Sequence, residues 1–240
     1  MPARASQPAS PQPTPLLSYD EWVSYVFDNP VPEFGLAWYW DHDDWDPLSV
    51  PHAVTGYLTT ALGNIAAVAA PYSDAQVAQA LEYLVNNACS SHMFVLLDNS
   101  VALEARLDCV RAFFAVYRDL FAPRCSPHLG HLRTGANAGP EGANPLDTIC
   151  YMWWDIFPIG GAPSDPDGDA LNRAALWVME QTLTLDSDAC REGALHGLGH
   201  WMPYYPHEAT HMIDAFLART PELRPELHSY ALAARGGCIL

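Results

Sequence analysis

The chain contains no lysine, and its eleven basic residues are all arginine. Asp and Glu together number 28, which gives a formal net charge of −17. Binding to a nucleic-acid backbone or to an anionic membrane surface depends on clustered Lys and Arg, so the composition argues against both partners. Because Arg favours fixed carboxylate partners, we expect several arginines to form ion pairs within the fold, although a GC-rich genome explains the missing lysine equally well.

The sequence also has no CxxC pair and no uninterrupted apolar run long enough to cross a bilayer. Its six cysteines are scattered, which indicates reduced thiols that mostly serve as small core residues. Residues 1–15 lack the apolar stretch of a signal peptide. We therefore expect a cytoplasmic protein of bacterial type; the alternative is that residues 1–15 are a tether left after removal of a leader.

What is present is a long series of helical patterns. Residues 1–15 are rich in Pro and Ser and predict a disordered tail, whereas 16–240 predict one all-α domain with a Gly/Pro-rich loop at 123–145. The apolar periodicity and the capping residues predict helices at 19–28, 54–69, 73–86, 101–121, 145–157, 169–184, 188–201, 206–219 and 225–235. No pair of strands is indicated.

Three of these helices contain a similar motif, an Asp followed within three residues by Cys, at Asp108, Asp147 and Asp188. The intervals are 39 and 41 residues, close to the period of about 40 residues of helical-hairpin repeats. Residues 190–200 have the sequence CREGALHGLGH, in which Arg191, Ala194, Leu195, Leu198 and Gly199 form a recognisable pattern. Through these five residues the segment resembles the second helix of a HEAT-like repeat. The resemblance implies stacked helical hairpins, an α-solenoid or an irregular bundle, used mostly to bind partners.

Two HxxxH pairs, His196 with His200 and His207 with His211, are the clearest chemical signal. Residues four apart share a helix face, so each pair can direct two imidazoles at one point. Glu192 lies on the same face as the first pair. Imidazole and carboxylate together suit divalent Zn, Fe or Mn, and we therefore predict a metal site drawn from these five residues.

A metal-free interpretation stays open for both pairs. His207 and His211 lie opposite the apolar stripe of their helix, where a polar face is usually just solvated. Gly197 stands where a zincin protease has its catalytic Glu, so a protease of that type is not indicated.

Other residues suggest a binding surface instead. Trp40 and Asp43 lie in a segment of Trp and Asp residues, and His128 and His131 lie in the Gly/Pro-rich loop. A third alternative is a small-molecule site formed by Trp38, Trp40, Trp153 and Trp154. Our leading expectation is a HEAT-like scaffold that binds a protein or small-molecule partner with no cofactor and no chemistry of its own. The alternative is a metal-dependent enzyme, of hydrolase or oxidoreductase type, with its Glu and His ligands on two adjoining helices.

Overall fold

The computed structural model describes residues 16–40, 45–132, 144–161, 163 and 165–239. Within these ranges the protein is all-α, as predicted, with eleven helices and no strand. The helices are α1 (Tyr19–Phe27), α2 (Pro51–Gly63), α3 (Ile65–Val68), α4 (Asp74–Val85), α5 (Leu103–Ala115), α6 (Ala122–Arg124), α7 (Leu146–Ile156), α8 (Pro166–Thr182), α9 (Asp188–Trp201), α10 (Pro206–Arg219) and α11 (Pro225–Arg235). Short 3₁₀ turns lie at Trp38–Trp40, Pro47–Ser49, His92–Leu97 and Gly130–Leu132, and a π-helical segment, Val116–Phe121, follows α5.

Local capping explains where several helices begin. Ser18 and Ser73 each form a capping box, with Glu21 and Gln76 respectively, and Ser187 caps α9. The start of α8 differs from the predicted start at residue 169. The helix begins earlier, because Pro166 occupies its first turn and the carboxylate of Asp165 accepts a hydrogen bond of 2.7 Å from the backbone of Gly168.

The long helices pack in two rows. In one row α2 packs on α5 and α5 on α8, and in the other α4 packs on α7, α7 on α9, and α9 on α11. Helix α9 lies between α7 and α11, and all but three of its fourteen residues are buried. This burial needs small residues, because a Cβ on Gly193 would lie 2.5 Å from the backbone oxygen of Cys150 and one on Gly197 would lie 2.7 Å from the Trp154 ring.

The core holds most of the aromatic side chains. Trp153, Trp154 and Phe157 are buried there, whereas Trp177 is 42% exposed. Arg106 is 3% exposed and pairs with the carboxylate of Asp167, which confirms the expected use of arginine in ion pairs. No helix among the described residues is both long and apolar enough to cross a membrane.

Candidate metal centre on helices α7 and α9

Three side chains from two helices meet at the open edge of the α7–α9 contact: Asp155 of α7 with His196 and His200 of α9. The Nε2 atoms of the two histidines are 3.2 Å apart, and a carboxylate oxygen of Asp155 is 3.5 Å from Nε2 of His200. One ligand atom from each residue lies within 4.8 Å of the other two. In the described part of the chain, no other group of three or more His, Cys, Asp or Glu residues has the spacing of a metal site.

The three side chains differ in their access to solvent. His196 is 1% exposed, whereas the side chains of His200 and Asp155 are 35% and 39% exposed. Burial, together with the neighbouring His200, lowers the pKa of His196 to about 4, so its imidazole is neutral at pH 7. One side of the cluster is open because His200 and Asp155 face solvent. The buried, neutral imidazole of His196 lies on the other side.

Two tyrosines lie behind His196. Its Nδ1 is 2.7 Å from the hydroxyl of Tyr230, which is 3.0 Å from the hydroxyl of Tyr151. The Tyr151 ring packs on the imidazole with centroids 4.3 Å apart. Burial raises the pKa of Tyr230, so its phenol is neutral and can accept a hydrogen bond from Nδ1. Such a bond fixes the tautomer in which Nε2 of His196 has a free lone pair directed at the cluster.

Glu192, predicted as a ligand, is buried but directed elsewhere. Its carboxylate accepts hydrogen bonds from the backbone N–H groups of Gly130 and His131, the second at 3.0 Å, and it also bonds Nδ1 of His131. The His131 ring stacks on Tyr230, with centroids 4.4 Å apart. Glu192 therefore anchors the 130–132 turn against α9 and α11, and His131 faces inward as part of that anchor.

The second histidine pair does not join the cluster. His207 and His211 on α10 are both exposed, in keeping with the solvated polar face considered from the sequence. The structure thus brings together two of the five predicted ligands and adds Asp155, which we did not predict.

The remaining candidates are spread over the surface and the core. Trp40 is 51% exposed, His128 is exposed beside a shallow hollow, and Asp43 lies outside the described residues. Trp153 and Trp154 are buried in the core, so they cannot present their faces to a small molecule as the third alternative required.

The sequence does hold one signal for Asp155. It is an acidic residue in the last turn of the apolar helix α7, where the helix dipole disfavours a carboxylate. A carboxylate in this unfavourable position is expected to have a cation or a hydrogen-bond donor nearby.

Comparison with protein-family models, with curated proteins and with solved structures found no match for this chain.

Proposed function

We propose that Asp155, His196 and His200 bind one divalent metal ion and that this ion is the centre of a metal-dependent enzyme. The supporting observation is the convergence of two Nε2 atoms and one carboxylate oxygen, with separations of 3.2 and 3.5 Å. Ligands about 2.0–2.1 Å from a tetrahedral Zn²⁺ are about 3.3 Å apart. The two separations at His200 are close to this value, and the third, between Asp155 and His196, is within 4.8 Å.

The ligand types support the same proposal. Two histidines and one carboxylate with an open side are the donor set of catalytic zinc sites and of non-haem Fe(II) sites. The half-exposed Asp155 and His200 leave room for a bound water or substrate. Such an ion would supply Lewis acidity to a bound water or substrate, and Tyr230 would orient His196 from behind.

Metal analysis of the full chain, purified without a histidine tag or a nickel column, tests this proposal. After addition of Zn(II), Mn(II) or anaerobic Fe(II) and removal of free metal, we expect one equivalent of one of these metals. Asp155→Asn and His200→Ala should each lower the affinity at least 100-fold. Both side chains are partly exposed, so the variants should fold, as thermal unfolding would verify.

The chain provides a matched control, the exposed pair His207 and His211 on α10. A double alanine variant of that pair should keep the full metal content. If no metal binds, or if the control loses metal as readily as His200→Ala does, the three side chains form only a hydrogen-bonded chain and the proposal fails.

A second candidate function is that of a HEAT-like scaffold that uses an apolar part of its own surface to bind a partner. The packing of the long helices in two rows is what supports this candidate. Between α4, α7 and the segment before Trp38 there is a cavity of about 530 Å³, within the usual range of ligand sites. Phe34 and Leu36, which are 87% and 68% exposed, lie in that segment.

This candidate requires a ligand that occupies the cavity. A fragment screen by thermal shift should find molecules that stabilise the wild type but not Ala78→Phe, which fills the cavity from α4. Equal stabilisation of both proteins by every hit would exclude the cavity as the binding site.

A further inference from the structure

The cavity of about 530 Å³ follows the length of two helices. One face of α4 lines it from Ala75 to Glu82, a rise of about 10 Å, and α7 lines it from one end of the helix to the other. Asn144, just before α7, donates a hydrogen bond of 2.5 Å to Asp74 at the start of α4. The two helices therefore run in the same direction along the cavity, and Glu82 lies at the end where α7 finishes.

A buried amide in the lining lacks a hydrogen-bond partner for its oxygen. Gln79 is 8% exposed, and its Nε2 donates a long hydrogen bond of 3.5 Å to the backbone oxygen of Pro30. Its Oε1 accepts no hydrogen bond from any described residue. Because buried acceptors are nearly always paired, we expect Oε1 to receive a donor from something that enters the cavity.

A second acceptor lies next to this amide. Glu82 follows Gln79 by three residues, and side chains with that spacing are neighbours on a helix surface, with Cβ atoms about 5–6 Å apart. Among the described residues that line the cavity, Glu82 alone carries a charge, and the net charge of the chain is −17. An anionic ligand would be repelled here, whereas a cation with N–H groups can donate to both acceptors at once.

The rest of the cavity suits a hydrocarbon chain. Apolar side chains from both helices line it, including Ala75, Ala78, Ile149 and Met152. The exposed Thr148 is the remaining polar residue of the lining. Transfer of an aliphatic chain from water to such a surface is favourable in proportion to the apolar area that it covers.

We propose that this cavity binds a primary amine with an aliphatic chain. The ammonium group donates hydrogen bonds to Oε1 of Gln79 and to the carboxylate of Glu82, and the chain lies between α4 and α7 toward Ala75. Such an amine is protonated at pH 7, as a lysine side chain is. The inference rests on the second candidate function, because it names the class of ligand that the cavity of that candidate takes.

Calorimetric titration of the full chain with three ligands of equal chain length tests the proposal. Octylamine, octanol and octanoate are each used below the concentration at which they aggregate, and no metal is added. Octylamine should bind with one equivalent and at least tenfold more tightly than octanol, because its hydrogen bond to Glu82 is charge-assisted. Octanoate should bind more weakly than octanol, because its charge has the same sign as that of Glu82.

Variants of the two acceptors separate the ammonium group from the chain. Glu82→Gln changes an exposed side chain, so it should fold, lower the affinity for octylamine about tenfold and leave that for octanol unchanged. Gln79→Met keeps the length of the side chain but removes Oε1, and it should weaken octylamine severalfold. The matched control is Glu33→Gln, because Glu33 is exposed and lies between lining residues without lining the cavity itself. This variant should bind octylamine as the wild type does.

Three results would overturn the proposal: no binding of octylamine, binding no tighter than that of octanol, or an equal loss of affinity in Glu33→Gln and Glu82→Gln. Ala78→Phe, with its folding verified by thermal unfolding, then shows what else fails. If it blocks ligands that bind the wild type without preferring the amine, the cavity stays a binding site and the ligand class is wrong. If it binds them as the wild type does, the cavity fails as well. Metal content enters none of these readouts, so the metal centre is tested separately.

Discussion

Glu192 and His131 are 61 residues apart in the chain, yet the buried carboxylate of the first holds the second by both its backbone N–H and its imidazole. Glu192 also accepts the N–H of Gly130. One side chain of α9 thereby fixes the turn of residues 130–132, and the stacking of His131 on Tyr230 extends that contact to α11.

Glu192→Gln should destabilise the protein without removing metal. The amide offers one acceptor oxygen, and its NH₂ group faces donors that the carboxylate satisfied, which costs about 1–3 kcal/mol. Urea denaturation measures the loss, and metal analysis should still find one equivalent. Glu208→Gln, at a partly exposed ion pair with Arg173, is the control and should change stability by less than about 0.5 kcal/mol. Loss of metal from folded Glu192→Gln would instead make Glu192 a ligand.

Tyr230→Phe should weaken metal binding and leave one equivalent still bound at saturation. The variant removes the oxygen 2.7 Å from Nδ1 of His196, and loss of such a partner typically costs 10–100-fold in metal affinity. Competition with a chromophoric chelator gives the dissociation constant. Tyr151→Phe removes a hydroxyl that bonds Tyr230 rather than His196, so it should have a much smaller effect. Equal effects of the two variants would exclude an orienting role for Tyr230.

The helices could be predicted from the sequence more fully than the site could. The bounds of α9, α10 and α11 agree with those expected from periodicity and caps, because these signals are local in the chain. The predicted helix at 54–69 instead breaks at Asn64, and the one at 101–121 becomes π-helical from Val116. Helical periodicity alone does not distinguish these changes in backbone geometry.

The site depends on packing that no local pattern encodes. Asp155 joins His196 because α7 lies directly on α9, and this approach requires the small Gly193 and Gly197. Glu192 shares a helix face with His196 in the sequence, yet its carboxylate accepts a hydrogen bond from the backbone N–H of Gly130 instead. A helix-face analysis identifies which side chains are neighbours on one helix but not which partner each one meets.

The buried His92 should make the protein less stable as the pH falls below about 6.5. Its Nε2 accepts a hydrogen bond of 3.1 Å from the indole N–H of Trp22, its Nδ1 is 2.9 Å from the hydroxyl of Ser90, and complete burial lowers its pKa to about 3. In the unfolded chain an ordinary His has a pKa of about 6.5 and takes up the proton first. The stabilisation is therefore fully present above pH 6.5 and is lost progressively down to pH 3.

The size of this effect follows from the linkage between protonation and unfolding. One pKa unit corresponds to about 1.4 kcal/mol, so His92 should account for a loss of about 2 kcal/mol between pH 6.5 and pH 5. Urea denaturation across this range should show a shallower dependence in His92→Gln than in the wild type. The exposed His128→Gln is the control and should keep the wild-type slope. An unchanged slope in His92→Gln would mean that His92 is not the group responsible.

Gly193→Ala and Gly56→Ala should change stability in opposite directions, although both place a methyl group within a helix. At Gly193 the new Cβ would lie 2.5 Å from the backbone oxygen of Cys150, so α7 and α9 must separate at a cost of about 1–3 kcal/mol. Around the exposed Gly56 of α2 no atom outside its own stretch of helix lies within 4 Å of the added Cβ, and the lower entropy of the unfolded chain should stabilise the protein by about 0.5–1 kcal/mol.

The same pair of variants links the helix contact to the metal centre. Separation of α7 from α9 moves Asp155 away from His196 and His200, so Gly193→Ala should also bind metal more weakly, while Gly56→Ala should bind as the wild type does. Urea denaturation and chelator competition on the same samples measure both effects. Metal affinity unchanged in a destabilised Gly193→Ala would show that the spacing of the two helices does not control the cluster.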